Sequence, residues 1–250
     1  MASPTLDGET ELSDENKEPG AAPYGNFINY YTFNPPENRL NLIPSSLLHD
    51  LGYDGRETLL MLDVGCNSGD LSVALYKHLL TSGYEGALHL LGFDRDEALV
   101  LRAQTSNPDA RHISFIPLDI TQEQASRSQL KEYLDQFGHP RFHLCVCLAV
   151  TMWVHLNHGD SGLTDLLSLL ASMSDHLLLE AQPWKCYRSA ARRLRKLGRS
   201  GFDHFKTLEI QGNMTEHIRR YLEEKCGMEL WQSFGSTAWD RQLLLFKKDK

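Results

Sequence analysis

The 250-residue sequence has no apolar run long enough to cross a bilayer: its most hydrophobic stretches, over 59–64 and 88–93, fall far short of the roughly 20 residues required. Its first residues carry neither the basic start nor the apolar core of a secretory signal, which points to a cytosolic or nuclear address. Cysteine is sparse. Cys66, Cys145, Cys147, Cys186 and Cys226 are odd in number and contain no Cys-x-x-Cys pair, which excludes a disulfide framework and leaves reduced thiols. Cys145 and Cys147 lie two apart in an apolar strand and so share one face, as core residues do. Basic charge is in deficit too, with a net charge of −8 that argues against a nucleic-acid partner until its distribution is considered. Residues 1–23 hold six acids against Lys17, a net −5, and read as a disordered acidic tail. Only −3 remains for residues 24–250.

What is present is a rhythm of apolar strands and amphipathic helices. Strands are predicted over 59–64, 88–94, 113–118, 142–149 and 176–181, and helices over 70–81, 96–105, 123–137, 162–174, 185–198 and 214–225. Two last strands, 228–234 and 241–247, are joined too closely for a parallel crossover and read as an antiparallel hairpin. A mostly parallel α/β sheet ending in such a hairpin is the Rossmann-like, seven-stranded architecture of class I methyltransferases, here over 24–250, whereas a dinucleotide-binding domain normally ends parallel. The aromatic, Asn- and Pro-rich stretch over 24–51 is expected to fold over that domain.

In such a sheet the ligand sits at the carboxyl ends of the strands. The first loop there is Asp63-Val64-Gly65-Cys66-Asn67-Ser68-Gly69-Asp70. Gly65 lets backbone approach a ligand, Gly69 permits close packing where the helix begins, and Asp63 either holds the loop or reaches the ammonium of an amino acid. An ordinary tight βα turn is the competing reading, and the spacing is not the G-x-G-x-x-G of a pyrophosphate site. Asp94, at the second strand tip, can accept from both ribose hydroxyls, while Asp96 caps the next helix. Asp119 and Ile120 follow the third strand and suit an adenine amino group and ring, with a helix cap through Thr121 as the alternative for Asp119. Three acids at three successive strand tips, in the order an adenosyl ligand needs, make S-adenosylmethionine the expected cofactor.

After the fourth strand, the run from Ala149 to Asp160 holds Trp153, His155 and His158. It reads as a loop bordering the methyl donor and the acceptor, with Asp160 capping the helix after it; no third or fourth ligand accompanies the two histidines, so no metal is expected. Past Glu180-Ala181-Gln182-Pro183-Trp184 comes a helix carrying Lys185, Arg188, Arg192, Arg193, Arg195, Lys196 and Arg199 without an acid among them. All but Arg193 fall within an arc of about 100°, opposite an apolar face. A solvated helix face is one explanation; anion recognition beside the site is the other, with Lys185 and Arg188 close in and Arg192, Arg195 and Lys196 farther along the ridge.

Together, the glycine loop at 63–70, Trp153-Val154-His155-Leu156-Asn157-His158-Gly159-Asp160 and Gln182-Pro183-Trp184-Lys185 resemble the bicoid-interacting-protein-three family of RNA methyltransferases. The similarity runs from about Pro23 onward and is strongest to the cytoplasmic branch acting on the 5′ monophosphate of small RNAs such as histidine tRNA and a precursor microRNA. It implies that Arg39, Asn67 and Leu148 contact the cofactor beside Asp94, Asp119 and Ile120. Tyr30 and Tyr31 stand where relatives place a tyrosine over it. Ala181 stands where relatives have proline, which bears on loop rigidity.

Methyl transfer to a terminal phosphate needs no general base, because a second pKa near 6 leaves the phosphate mostly dianionic at neutral pH. No catalytic side chain is therefore expected. A protein or small-molecule methyltransferase, and a non-catalytic RNA-binding protein with the same fold, are the rival readings.

Overall fold

The computed structural model describes residues 22–249. The disordered tail expected over 1–23 lies, apart from its last two residues, outside that range. Three short helices, α1 (Tyr30–Phe33), α2 (Glu37–Leu40) and α3 (Leu47–Asp50), precede β1 (Leu59–Val64). There follow α4 (Asp70–Leu80), β2 (Leu88–Asp94), α5 (Glu97–Thr105), β3 (Ile113–Pro117), α6 (Glu123–Phe137), β4 (Phe142–Leu148), α7 (Thr151–Met173) and β5 (Ser174–Glu180). The described chain ends with α8 (Trp184–Lys196), α9 (Met214–Cys226), β6 (Met228–Ser236) and β7 (Gln242–Lys248).

The strands form one sheet in the order β3-β2-β1-β4-β5-β7-β6. Pairs among β1 to β5 are parallel, and β7 runs antiparallel to both β5 and β6, so the hairpin is as expected. Strand periodicity sorts side chains between two cores. Leu60, Leu62, Cys145 and Cys147 join the cluster under α6 to α9, whereas Leu59, Met61, Leu144 and Val146 join the one under α3, α4 and α5. None of the five cysteines is paired. No helix among the described residues is long and apolar enough to cross a membrane.

Two local expectations change. The run from Thr151 to Asp160 is helix rather than loop: Thr151, Met152, Val154, His155 and Leu156 are buried at helical spacing, which outweighs a polar, glycine-containing composition. α7 is broken at Gly159 (φ 72°, ψ −171°), so Asp160 opens the second half instead of capping it. Asp96 does cap α5, accepting from the N–H groups of Ala98 and Leu99.

The order of strands reverses about β1 and β4, opening a crevice at their carboxyl ends. The N-terminal segment covers it, as expected. Asn67 Nδ2 donates to the Phe27 carbonyl at 3.1 Å, Asn26 Nδ2 to Asp96 at 2.8 Å, and Asn157 Nδ2 to the Pro23 carbonyl at 2.9 Å. These bonds tie the segment to three separate elements of the rim.

Candidate active site

An open cleft lies at the crevice, the place where ligands bind in sheets of this kind. Arg39, Asp63, Gly65, Asn67, Asp94, Asp119, Ile120, Leu148 and His158 all line it, as do Tyr30 and Tyr31. Gly69 does not. It stands behind the loop at φ 81°, where a Cβ would meet the Phe115 ring at 2.8 Å and the Ala103 methyl at 3.0 Å. Its contribution is helix packing, the one physical role the sequence suggested for it.

The strand-tip acids are built into the walls. Asp94 accepts from the backbone N–H of Asn67 and of Asp96, both at 3.0 Å; burial raises its pKa while these bonds oppose the rise. Asp63 accepts from the Ser72 hydroxyl at 2.5 Å, and burial pushes its carboxyl up to about 6. Asp119 uses one oxygen for the turn through Thr121 and sets the other 3.3 Å from Arg95, whose guanidinium lies 3.5 Å over the Tyr24 ring. The cap expected there is not formed, because the N-cap position of α6 is Gln122 and Asp119 closes a turn just ahead of it.

At the far end Arg39 forms a fully buried, two-pronged ion pair with Glu180 and donates to the Tyr30 hydroxyl at 2.9 Å. Burial works against its charge, but Tyr30 and Glu180 override that and hold its pKa above the ordinary value. Arg39 Nη1 remains a buried donor with no hydrogen-bond partner. Glu180 also receives Arg241 Nη1 at 3.0 Å. Neither Glu180 nor Arg241 was singled out in the sequence. A carboxylate at the fifth strand tip was visible there, but an arginine in a hairpin turn gave no signal.

A second cavity adjoins the first and shares Tyr30, Ala149 and Trp153 with it. Its cations are Lys185, Arg193 and Arg241, and among the described residues no carboxylate or imidazole lines it. Ala149 holds a left-handed backbone (φ 60°), unusual for a residue with a Cβ, and Gln182 Nε2 clamps its carbonyl at 2.6 Å. Gln182 in turn accepts from the Met152 N–H, so the chain between β5 and α8 fixes the shared wall. Ala181, where relatives carry proline, is buried.

The basic helix divides differently from the wheel. Positions 185, 189 and 193 turn toward the second cavity, whereas Arg188, Arg192, Arg195 and Lys196 are exposed and line neither space. Arg193, 5.5 Å over the Phe27 ring, takes the place expected of Arg188, because at about 100° per residue positions 189 and 193 fall on one side of Lys185 and position 188 on the other. Lys185 sits at the rim, more than half exposed and 3.0 Å from Asp240.

His155 is displaced as well. It is fully buried, 2.7 Å from Asp160 through Nε2 and 3.1 Å from the Tyr187 hydroxyl through Nδ1, and it does not line the cleft. Asp160 also accepts from the N–H groups of Glu209 and Ile210. The set braces α7 against α8 and the segment before α9. No three potential metal ligands converge among the described residues.

Comparison with known proteins bears on this arrangement. The family model described as "Bicoid-interacting protein 3" matches residues 142–248. A pre-miRNA 5′-monophosphate methyltransferase of Danio rerio is 65% identical, over 94% of this chain and 96% of its own length. An RNA 5′-monophosphate methyltransferase of Homo sapiens is 49% identical, over 99% of this chain and 90% of its own. Among solved structures, the N-methyltransferase NodS of Bradyrhizobium japonicum with S-adenosyl-L-homocysteine superposes with a TM-score of 0.53 at 16% identity, covering 88% of this chain and 91% of its own, and so shares the fold.

Proposed function

This chain belongs to the Bicoid-interacting protein 3 family, and from that premise we propose that it transfers a methyl group from S-adenosylmethionine to the 5′ monophosphate of an RNA. The observation that carries the reading is the junction of two unlike spaces, one lined by strand-tip acids and one whose charged lining residues, among those described, are all cations, across a wall of Tyr30, Ala149 and Trp153. An acceptor held in the second therefore lies beside a donor held in the first.

The first space fits the cofactor. Arg39 Nη1, buried and unpartnered, suits its carboxylate; Asp63 suits its ammonium, Asp94 its ribose, and Asp119 with Ile120 its adenine. When bound, S-adenosylmethionine supplies a methyl group carried on a sulfonium. The protein's part is to hold a phosphate oxygen in line and keep water out. Lys185, Arg193 and Arg241 offer donors for the phosphate, and the aromatic N-terminal segment shields the junction. A dianionic phosphate brings its own nucleophile, and among the described residues no carboxylate or imidazole lines the second cavity to act as a base.

The outer face of α8, with Arg188, Arg192, Arg195 and Lys196, suits the RNA backbone beyond the terminus. Small RNAs such as a precursor microRNA or histidine tRNA, in the cytoplasm, are the substrates this reading favours. The test is mass spectrometry of a 5′-phosphorylated RNA after incubation with the protein and cofactor. One or two added methyl groups at the 5′ end support the reading, and an unmodified 5′ end with methylated protein or small molecules in its place overturns it.

A further inference from the structure

We propose that Arg241, a residue of the β6–β7 hairpin turn, is the phosphate-reading residue of this site, distinguishing a 5′ phosphate from a 5′ hydroxyl. The inference rests on the methyl-transfer reading above and names the group that recognises its acceptor.

The sheet explains how the residue arrives there. Glu180 ends β5 opposite Leu243 of antiparallel β7, and Arg241 lies two residues before Leu243, on the same side of the strand. This brings the Arg241 Nη1 to within 3.0 Å of Glu180. Glu180 is already matched by the two-pronged contact from Arg39, so one carboxylate serves two guanidinium groups and the trio keeps a surplus positive charge. Burying a surplus cation is costly unless an anion joins it.

Beside the carboxylate that Arg39 would take in the first space, the surroundings of Arg241 itself point to an anion in the second cavity. Arg241 lines it, and its side chain is only 14% exposed. Its Nε is a buried donor with no hydrogen-bond partner, a condition that native proteins seldom leave uncompensated. Lys185 is engaged by Asp240 at an exposed rim, and both arginines lie over a ring, Arg193 over Phe27 at 5.5 Å and Arg241 over Trp239 at 5.6 Å, but of these three cations Arg241 is the one with a buried donor left unpartnered. A guanidinium held from one side by Glu180 presents a fixed planar fork, the geometry that matches phosphate oxygens. An RNA ending in a 5′ hydroxyl would leave Arg241 without its counter-charge, and selectivity for the phosphate follows from that deficit.

The test compares one short RNA hairpin in 5′-phosphate and 5′-hydroxyl forms, its affinity measured with S-adenosylhomocysteine present, for the parent, Arg241→Gln and Arg241→Lys. The parent should prefer the phosphate form. Arg241→Gln should lose about tenfold to a hundredfold of that preference while its affinities for S-adenosylhomocysteine and for the hydroxyl form stay near the parent's. Arg241→Lys, charged but without the fork, should fall between. Loss of affinity for both RNA forms alike, or an unchanged preference in Arg241→Gln, overturns the proposal. Should Arg241→Gln fail to fold, the parent labelled with ¹⁵N at arginine Nε decides. A resonance missing from Arg241→Lys must move with 5′-phosphorylated RNA and stay still with the hydroxyl form; its failure to move overturns the assignment. Absence of methyl transfer to 5′-phosphorylated RNA by the parent defeats the functional reading instead, and these binding experiments still judge Arg241 as an anion site.

Discussion

Arg39 and Glu180, 141 residues apart in the chain, meet as an ion pair from which solvent is wholly excluded. Breaking a buried pair from one side strands the other charge. Glu180→Ala leaves both Arg39 and Arg241 uncompensated, and should cost roughly 3 to 5 kcal/mol of stability. The urea midpoint at pH 7 checks this, with Glu180→Gln, which keeps the shape and one acceptor, falling between the two. A midpoint for Glu180→Ala equal to the parent's would mean that the pair adds nothing.

Asp94 should govern cofactor affinity. Its Asp94→Ala variant is expected to bind S-adenosylhomocysteine about tenfold to more than a hundredfold more weakly by calorimetry, the worth of a charged hydrogen bond of roughly 1.5 to 3 kcal/mol. Because Asp94 also holds the N–H groups of Asn67 and Asp96, part of the loss should arise from a loosened loop. Asn67 backbone exchange in the unliganded variant should accordingly speed up.

Asp63 gives opposite pH signatures to stability and to binding. Its folded pKa of about 6 exceeds the roughly 3.9 of an unfolded aspartate, so the native state holds more protons between those values. Stability of the unliganded protein should therefore fall as pH rises through that window and level off above it. Affinity for S-adenosylhomocysteine should rise through the same window, since only the ionised carboxylate pairs with an ammonium. Asp63→Asn should lose both slopes; an affinity profile parallel to the parent's would remove Asp63 from that role.

The rising limb of turnover at saturating cofactor should belong to the phosphate's second ionisation and not to a histidine. His155 is braced by Asp160 and Tyr187, and burial lowers its pKa, so His155→Gln should lose stability yet keep the limb. Disappearance of the limb in that variant would point to a base and against the mechanism.

The two faces of α8 should separate in single-turnover assays at several salt concentrations. Charge reversal at Arg195 and Lys196 should weaken RNA binding and flatten its salt dependence, because fewer counterions are released, with little change in saturated turnover. Arg193→Ala should instead lower turnover, by misplacing the nucleophile. Identical salt slopes in parent and reversed protein would reduce the outer face to solvated surface.

The strands, the closing hairpin and the acids at the strand tips that line the cleft were legible because each rests on local pattern: apolar runs, strand-tip carboxylates and the cap at Asp96. Misreadings arose where side-chain burial in three dimensions overrode composition. The histidine-rich run looked like a loop but packs Met152, Val154 and Leu156 inward, taking His155 with them. The helical wheel identified a cationic face on α8 but not which edge meets the cavity, since that depends on how Tyr187 and Leu194 seat against the sheet. Arg241 was invisible for a different reason. Its meaning comes from antiparallel register with Glu180, a relation between distant segments that no window of sequence contains.

The covering of the cleft by residues before β1 also sets an order of assembly during synthesis. Arg39 leaves the ribosome long before Glu180, and Arg241 later still, so the first arginine must wait through most of translation for the carboxylate that permits its burial. Contacts this far apart in the chain form late and slowly. The nascent chain can therefore build β1 to β3 and their helices early, whereas the Arg39–Glu180–Arg241 set is complete only once the final hairpin has docked.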